Sequence, residues 1–350
     1  SCALLAAMLR EGARPVRLGG NIGISLLPTV EEIGADEIVV LELSSFQLED
    51  TPHLPWAPHV AVVTNITPNH LDRYETFETY AEAKHNLVAM QRAADIAVLN
   101  RSDAVLQTWR RRGLPGSLLQ FDPRCEHGPL VEGTNLRNGR LIWNFGGAQQ
   151  VLCAAEEISV PGRHNVANAM AAAAAARWLG VSARSICQAL RRYRPLEHRL
   201  EQCGSFRGVR FFNDSDATTP ESTEAALRSF EGPITLIVGG YNKNLGMEAL
   251  AEVIAQRAEV LISLGAAGPE IAQRTRQAGM HAGHTPLIRE AGSLEHAVEA
   301  AFDLSMPGST VLFSPACASF DMFVNFADRG RRFKTLVWAI GRRRESREAG

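Results

Sequence analysis

A run of short polar side chains follows an apolar stretch in the second half of the chain, and it is the first candidate for a site of chemistry. Residues 209–212 predict a strand, and residues 213–219 read Asn-Asp-Ser-Asp-Ala-Thr-Thr ahead of a helix that opens at Pro220. Loops that leave strand ends are where α/β proteins hold catalytic and binding groups. The same residue types also make ordinary turns and helix caps, so this segment alone leaves both interpretations open.

A carboxylate lies in one predicted strand in the first half of the chain, and an imidazole follows another. Glu42 lies in the apolar strand 37–43, and His70 follows the strand 59–65. A buried carboxylate needs a cation or another partner, and the strand ends of one sheet could bring the two side chains together. Mg²⁺ takes carboxylates readily and imidazoles less typically. A metal site, a buried ion pair and a capped turn therefore stand as alternatives.

Other segments suit the binding of an anion. Asn165 and Asn168 share roughly one face near the start of the predicted helix 164–179, and a helix N-terminus favours phosphate. Arg199 lies near a predicted domain boundary and could reach a phosphate. Residues 314–319 follow a predicted strand with small side chains only, which allows a ligand to approach the backbone closely. A plain N-cap and an exposed linker arginine are the competing explanations for the first two features.

Two lysines are further candidates. Lys84 lies in the predicted helix 77–93 beside inward-facing residues, where a lysine usually lays its aliphatic stem along an apolar surface. Lys243 follows Gly239 and Gly240 after a predicted strand, an arrangement that could form an anion pocket. The Gly-x-x-x-x-Gly-Lys-Ser/Thr spacing of a Walker A motif is nowhere in the sequence.

Composition limits the class of protein. With 350 residues, 45% of them hydrophobic and 21% charged, the chain can bury two cores. A net charge of −2 provides no field for nucleic acid, so no nucleic-acid partner is expected. The six cysteines lack a Cys-x-x-Cys pair and the Cys/His spacing of a zinc site, which favours a reduced, cytoplasmic location. No apolar run approaches the roughly 20 residues of a membrane span, and no membrane partner is expected.

The order of predicted elements indicates an α/β protein in two parts. The first part, residues 1–195, alternates strands and helices as a parallel, helix-covered sheet does, and residues 118–160 read as a small antiparallel insertion. The second part, residues 196–350, is a further α/β unit. Its predicted strands are 209–212, 234–238, 260–264 and 310–313, and its predicted helices are 247–256, 269–278 and 294–302.

Taken together, these segments resemble the Mur ligases, ATP-dependent amide ligases of peptidoglycan precursor synthesis. Within the family, the resemblance is greatest to the members that add D-glutamate to UDP-N-acetylmuramoyl-L-alanine. The motifs occur in order over essentially the whole chain. They are Gly19-Gly20-Asn21-Ile22-Gly23, Leu41-Glu42-Leu43-Ser44-Ser45-Phe46-Gln47-Leu48-Glu49, Asn69-His70-Leu71-Asp72-Arg73, His164-Asn165 with Asn168, His198-Arg199, Asn213-Asp214-Ser215 and Ser314-Pro315-Ala316-Cys317-Ala318-Ser319-Phe320-Asp321.

The resemblance implies a central parallel-sheet ATPase-like domain followed by a Rossmann-like C-terminal domain, acting as a monomer. It also implies that ATP phosphorylates the carboxylate of UDP-N-acetylmuramoyl-L-alanine, and that the amine of D-glutamate attacks the resulting acyl phosphate. Such a reaction gathers several anions in one place, so Mg²⁺ and cationic side chains must neutralise them.

Site residues are carried over motif by motif. Glu42, His70 and Lys84 match the metal site, where Lys84 corresponds to a lysine that becomes carbamylated, and Lys84, His70 and Lys243 are the implied catalytic groups. Asn21, Ser44 and Gln47 match positions that face the nucleotide-sugar substrate or the metal site. Asn165, Asn168, Arg199 and Asp214 match ATP-binding positions. Thr218, Lys243, Ser319, Phe320 and Phe326 match the D-glutamate pocket.

Two departures from the family pattern carry expectations of their own. The sequence starts in a helix that the family places directly after its Gly-rich phosphate loop, so we expect residues 1–350 to lack the N-terminal domain and to have little ligase activity alone. ATP-dependent ligation by this polypeptide would contradict that expectation. Asp216 stands where D-glutamate ligases often have lysine, and its charge should weaken the binding of an anionic acceptor unless Lys243 compensates.

Three other functions compete with that of a D-glutamate ligase. A Mur ligase or folylpolyglutamate synthetase relative with another acceptor keeps the chemistry, but a diamino acceptor should need an acidic or Arg-rich clamp where this chain has Thr218, Lys243 and Ser319. A non-catalytic nucleotide-binding paralogue is favoured by the missing phosphate loop. An NAD-dependent oxidoreductase lacks its Gly-x-Gly-x-x-Gly fingerprint after every predicted strand.

Overall fold

A computed structural model describes residues 1–22, 25–54, 56–70, 73–124, 131–194 and 196–348. Residues 347 and 348 are described by their backbone only. The chain divides into two compact units, Ser1–Arg194 and Pro195–Gly350. Gly23, Leu71 and Asp72 of the quoted motifs, and Pro195 at the predicted boundary, lie outside the described residues. Within the described ranges, none of the helices combines the length and apolar character needed to cross a bilayer.

The first unit holds a small sheet and a large one. Two parallel strands form the small sheet, β1 (Val16–Gly20) and β2 (Ile38–Glu42). The large sheet has the order β3-β4-β5-β6-β7-β8. Its strands are β3 (Val60–Val63), β4 (Ile96–Asn100), β5 (Ser117–Asp122), β6 (Gly133–Arg137), β7 (Arg140–Phe145) and β8 (Ala148–Ala154). Pairing is parallel from β3 to β6 and antiparallel from there to β8.

An alanine-rich helix packs on the large sheet and forms the centre of this unit's core. The helices are α1 (Cys2–Arg10), α2 (Ser45–Glu49), α3 (Phe77–Ala89), α4 (Ala104–Arg112), α5 (Arg163–Trp178) and α6 (Ala183–Arg192). Residues 169–176 of α5 are all buried, and the helix contacts β3 to β7 and α1. Because alanine has the smallest side chain that still favours a helix, α5 can lie close to the sheet without breaking.

The interpretation of residues 118–160 as an insertion is wrong. This stretch provides most of β5 and all of β6, β7 and β8, which continue the main sheet. The sequence hides β6 because it opens on Gly133, whose φ is 126°, and continues with the buried polar residues Thr134 and Asn135. A Cβ at Gly133 would stand 1.9 Å from the carbonyl oxygen of Gln120, so only glycine permits this strand pairing.

The second unit is a mostly parallel six-stranded sheet of order β13-β12-β11-β14-β10-β9. Its strands are β9 (Glu201–Phe206), β10 (Val209–Asn213), β11 (Ile234–Val238), β12 (Val260–Ser263), β13 (Leu287–Glu290) and β14 (Thr310–Phe313). Only the β9–β10 hairpin is antiparallel among the described strand pairs of this sheet. The predicted α/β class with a Rossmann-like second domain is confirmed.

Five helices cover this sheet, and the strand order decides where its loops meet. They are α7 (Pro220–Leu227), α8 (Glu248–Arg257), α9 (Gly268–Ala282), α10 (Leu294–Leu304) and α11 (Phe326–Glu348). The last strand, β14, lies between β10 and β11 and runs parallel to both. The loops after these three strands therefore leave the same edge of the sheet, the place where α/β folds bind ligands.

Candidate functional site

Glu42 and Lys84 lie close enough to interact electrostatically in the first unit. Glu42 is the last residue of β2, and Lys84 lies in the middle of α3. Burial lowers the pKa of the Lys84 ammonium, and the Glu42 carboxylate opposes that shift. The Nζ atom of Lys84 also lies 5.3 Å from the centroid of the Tyr80 ring. A partly desolvated amine beside a carboxylate is the arrangement that the sequence predicted around a metal site.

His70 lies against the same aromatic side chain. Its ring centroid is 6.4 Å from that of Tyr80 and 4.8 Å from that of Phe46, which it meets edge to face. The backbone of His70 has a φ of 55°, in the left-handed region where histidine is more common than most residues. The Oδ1 atom of Asn69 accepts a hydrogen bond of 2.9 Å from the His70 amide and supports that turn.

The three predicted metal-site residues therefore lie in one region, but not for the reason that the sequence suggested. Glu42 ends a strand of the small sheet, whereas His70 follows β3 of the large sheet by several residues. They do not share a sheet edge. Tyr80 of α3 contacts both His70 and Lys84, so the helix brings the groups together. Burial raises the pKa of Tyr80 to about 12, so this ring is a neutral part of the wall.

Ser44 and Gln47 cap the short helix α2. The backbone amide of Gln47 donates to the Ser44 Oγ atom at 3.2 Å, and the backbone amide of Ser44 donates to the Gln47 Oε1 atom at 2.9 Å. This reciprocal capping box explains both residue types structurally. Asn21 follows β1, and its backbone amide donates to the backbone carbonyl of Glu42 at 2.7 Å. Asn21 is thus a neighbour of Glu42 in the fold, and Ser44 follows Glu42 two positions later in the sequence.

The two asparagines of α5 do not serve as its N-cap, since Gly162 holds that position. The Nδ2 atom of Asn165 donates to the Pro161 carbonyl at 2.7 Å, and the Oδ1 atom of Asn168 accepts from the Ser1 hydroxyl at 2.9 Å. Both amides lie partly buried in the first two turns of the helix. The plain N-cap explanation is therefore wrong, and the positive end of the α5 dipole lies beside both side chains.

In the second unit, Asp214 is buried directly after β10 and joins two loops. Its Oδ2 atom accepts a 2.8 Å hydrogen bond from the Ser314 hydroxyl, and its Oδ1 atom accepts one of 3.0 Å from the Leu200 amide. Burial raises the pKa of Asp214 to about 7, against the effect of these two donors. The carboxyl group therefore changes its charge near neutral pH.

Asp214→Asn is expected to remove a pH-dependent loss of stability. The pKa of about 7 in the folded protein lies above the value of about 4 in an unfolded chain, so the contribution is complete below pH 4 and is lost as the pH rises to 7. Between those limits, the free energy of unfolding of the wild type should fall relative to that of the variant by up to about 4 kcal/mol. Urea denaturation of both proteins across this range measures the difference. Parallel curves for Asp214→Asn and wild type would contradict the assignment.

Arg199 is exposed and pairs with Asp216. Its Nη2 atom lies 2.7 Å from the Asp216 Oδ2 atom. Burial raises the pKa of Asp216, and the Arg199 charge opposes that shift. The sequence placed the Asp216 charge beside the acceptor amino acid. In the structure, that carboxylate is engaged by a residue predicted to bind ATP.

The residues predicted for the acceptor pocket come from loops at one edge of the second sheet. Antiparallel hydrogen bonds of 2.9 and 3.0 Å between Tyr241 and Ala318 join the loop after β11 to the loop after β14. Ser319 is buried, whereas Phe320 is 68% exposed. The set consists of Thr218 after β10, Lys243 after β11, Ser319 and Phe320 after β14, and Phe326 at the start of α11.

Arg329 of α11 was missed by the sequence reasoning. It is only 2% exposed, and its guanidinium donates to the Ser215 Oγ atom at 3.0 Å, the Ser215 carbonyl at 2.8 Å and the Cys317 carbonyl at 3.0 Å. Burial lowers its pKa to about 10, so the group stays charged at neutral pH. Arg329 thereby ties the loop after β10 to the loop after β14. Nothing in the sequence pattern distinguishes Arg329, because α11 carries arginines along its length and looks like a solvated helix.

Comparison with known proteins finds two domain families whose models cover most of the chain. Residues 3–176 match the Mur ligase middle domain, and residues 198–317 match the Mur ligase glutamate ligase domain. The chain is 39% identical over 337 residues to a UDP-N-acetylmuramoylalanine–D-glutamate ligase of Symbiobacterium thermophilum, covering 96% of this chain and 72% of that protein. It is 42% identical over 334 residues to a ligase of the same name from Solibacter usitatus, covering 95% of this chain and 72% of the relative.

Solved structures share the fold at lower sequence identity. The MurF ligase of Thermotoga maritima in complex with ADP superposes with a TM-score of 0.68 at 19% identity, covering 98% of this chain and 77% of that one. A pseudomurein peptide ligase type C of Methanothermus fervidus gives 0.68 at 16% identity, covering 97% and 76%.

Proposed function

We propose that this chain, which belongs to the Mur ligase family of ATP-dependent amino-acid ligases, joins D-glutamate to UDP-N-acetylmuramoyl-L-alanine. The coarser activity, ATP-dependent ligation in peptidoglycan precursor synthesis, follows from the family. The observation that carries the finer proposal is the match over 95% or more of the chain to relatives named for that acceptor. Lys243 and the hydroxyls of Thr218 and Ser319 offer a cation and hydrogen-bond donors for a dicarboxylate acceptor.

In the proposed reaction, an oxygen of the substrate carboxylate attacks the γ-phosphorus of ATP, and ADP leaves. The D-glutamate nitrogen then attacks the carbonyl carbon of the acyl phosphate, the amide bond forms, phosphate leaves, and the nitrogen gives up a proton. We assign Asn165, Asn168, Arg199 and Asp214 to ATP, and Asn21, Ser44 and Gln47 to the nucleotide-sugar side. Thr218, Lys243, Ser319, Phe320 and Phe326 are assigned to D-glutamate.

The side chains of Glu42, His70 and Lys84 fit Mg²⁺ on the condition that Lys84 is carbamylated. The Glu42 carboxylate is a typical ligand, the His70 imidazole is a less typical one, and an ammonium at Lys84 would repel the ion. Carbamylation of Lys84 would replace that ammonium by an anionic oxygen donor. Carbon dioxide reacts with neutral amines, and burial lowers the pKa of Lys84 in the direction that favours this form. When bound, Mg²⁺ supplies positive charge that offsets the phosphate oxygens.

The test is a ligation assay with ATP, Mg²⁺, UDP-N-acetylmuramoyl-L-alanine and labelled D-glutamate. One ADP is expected for each labelled amide formed. If residues 1–350 alone give no product, the same assay applies to a polypeptide extended upstream to the length of the relatives. Incorporation of L-lysine or diaminopimelate in place of D-glutamate would identify a different acceptor. Failure of both polypeptides to bind ATP in calorimetry would favour a non-catalytic paralogue.

Asp216→Ala is expected to change the KM for ATP more than the KM for D-glutamate. Removing the carboxylate that occupies Arg199 frees the guanidinium for phosphate. An ion pair whose arginine is exposed to solvent contributes about 0.2–1 kcal/mol, so the KM for ATP should fall by up to about fivefold. In an Arg199→Ala background, the same substitution should have no effect on that constant. A larger fall in the KM for D-glutamate would instead place the Asp216 charge beside the acceptor, as the sequence suggested.

A further inference from the structure

Two thiols and a carboxylate meet in the first unit, away from every residue assigned above. Cys153 lies near the end of β8, Cys187 lies in α6, and Glu157 ends a short 3₁₀ turn between them. One ligand atom from each lies within 4.8 Å of the other two. Among the described residues, this is the only group of three such side chains with its ligand atoms gathered in this way.

We propose that Cys153, Glu157 and Cys187 form a binding site for a thiophilic divalent cation such as Zn²⁺. The Cys187 Sγ atom lies 3.8 Å from the Glu157 Oε2 atom. Sulfur and oxygen ligands of a tetrahedral zinc, with bonds of about 2.3 and 2.0 Å, stand roughly 3.5–3.8 Å apart. None of the three separations exceeds 4.8 Å, which is at most about 1 Å more than this spacing, and side-chain rotation can close that difference. Three protein ligands leave the fourth position for water.

The carboxylate is held in place for this role by its own partners. The Ala154 amide donates to the Glu157 Oε2 atom at 2.8 Å, and the Arg191 guanidinium contacts the Oε1 atom. The Oε2 atom thus faces the Cys187 thiol, whose proton lies where a cation would bind. Two sulfur donors select against Mg²⁺ and favour Zn²⁺, which separates this site from the proposed magnesium site.

Binding must displace protons and act against a nearby positive charge. Burial raises the pKa of Cys153 to about 12 and raises that of Cys187 as well, so both are thiols at neutral pH. The affinity should therefore increase with pH, while the Arg191 charge beside Glu157 limits it. An open cleft of about 550 Å³ is lined by Leu152, Cys187, Arg191 and their neighbours, so an ion and its water can approach the cluster from the Cys187 side.

The experiment is a zinc titration of the metal-free protein, kept reduced with a phosphine, in competition with a chromophoric chelator. One Zn²⁺ per chain is expected for the wild type. Cys187→Ser should weaken binding by at least about 100-fold and Glu157→Gln by about 10-fold. Cys2→Ser is the matched control, because Cys2 is a partly buried cysteine of the same unit that lies outside the cluster. Zinc should also raise the melting temperature of the wild type and of Cys2→Ser, but not that of Cys187→Ser.

Three results would overturn the site. They are an absence of zinc binding by the reduced wild type, equal affinity in Cys187→Ser, and loss of binding in Cys2→Ser. A disulfide between Cys153 and Cys187 in an air-oxidised sample, together with no zinc binding after reduction, would identify the pair as an oxidisable one instead. None of these results bears on the ligase proposal, because the readouts do not involve activity.

Discussion

Replacing Lys84 by alanine should lower the rate of ligation by about 10³-fold, the effect of removing a preorganised charged group from a phosphoryl-transfer site. The free energy of unfolding should change little, because burial lowers the pKa of Lys84 while Glu42 opposes the shift, so the two effects on the charged form partly offset each other. Lys84 is thus expected to serve chemistry rather than stability.

The measurement is the steady-state rate of ADP release that depends on D-glutamate, in whichever polypeptide carries ligase activity. Lys334→Ala is the control, since the chain's three lysines are Lys84, Lys243 and Lys334, and Lys334 pairs with glutamates on the surface of the second unit. Added acetate should restore part of the activity of Lys84→Ala by supplying the missing carboxylate. Carbon-13 NMR with labelled bicarbonate should give one carbamate signal in the wild type and in Lys334→Ala. Full activity in Lys84→Ala would rule out the metal-site assignment.

Arg329→Met should destabilise the second unit by about 3–5 kcal/mol, because it leaves buried hydrogen-bond acceptors without a donor. The carbonyls of Ser215 and Cys317 and the Ser215 hydroxyl each lose a partner. Because these partners lie in the loops after β10 and β14, the substitution should also raise the KM for D-glutamate several-fold more than the KM for ATP. Arg329 is therefore a positioning residue for the proposed acceptor pocket.

Urea denaturation and the two KM values test this prediction. Arg331→Met, an exposed neighbour in the same helix, should leave stability and both constants unchanged. If Arg329→Met does not fold, Ser215→Ala removes one of the three contacts, at a cost of about 1 kcal/mol, and should shift the same KM in the same direction. A rise in the KM for ATP alone would show that Arg329 does not act on the acceptor side.

The strands that the sequence predicted well are the ones that are apolar along most of their length. The interior strands β4 and β11 were predicted to the residue, because both faces of each are covered and four of the five side chains in each are hydrophobic. Strands β1, β5, β6, β9 and β13 were missed, because they carry glycines, buried amides or exposed edge residues and so lack a clear apolar pattern. Most of helix α11 was missed because charged residues cover much of its length.

The candidate site shows the same division between local and distant information. The family resemblance named Glu42, His70 and Lys84, and the fold places His70 and Lys84 near Tyr80 of α3, with Glu42 close enough to Lys84 to interact electrostatically. Asp216 pairs with Arg199, which lies 17 positions away in the sequence. Buried Arg329 donates to Ser215, which lies 114 positions away. Contacts at that separation depend on tertiary packing and leave no periodic signal in the sequence.

The position of β14 has a consequence for how the second unit is made. β14 begins only at Thr310, yet it fills the slot between β10 and β11. A nascent polypeptide that has not yet emerged to that point holds two strands with unpaired facing edges, which are prone to pair with other chains. Closing the gap requires contacts about 100 residues apart, a feature that slows folding. We therefore expect the second unit to complete its sheet only after residue 313 has been synthesised, and chaperone protection of the open sheet matters most before that point.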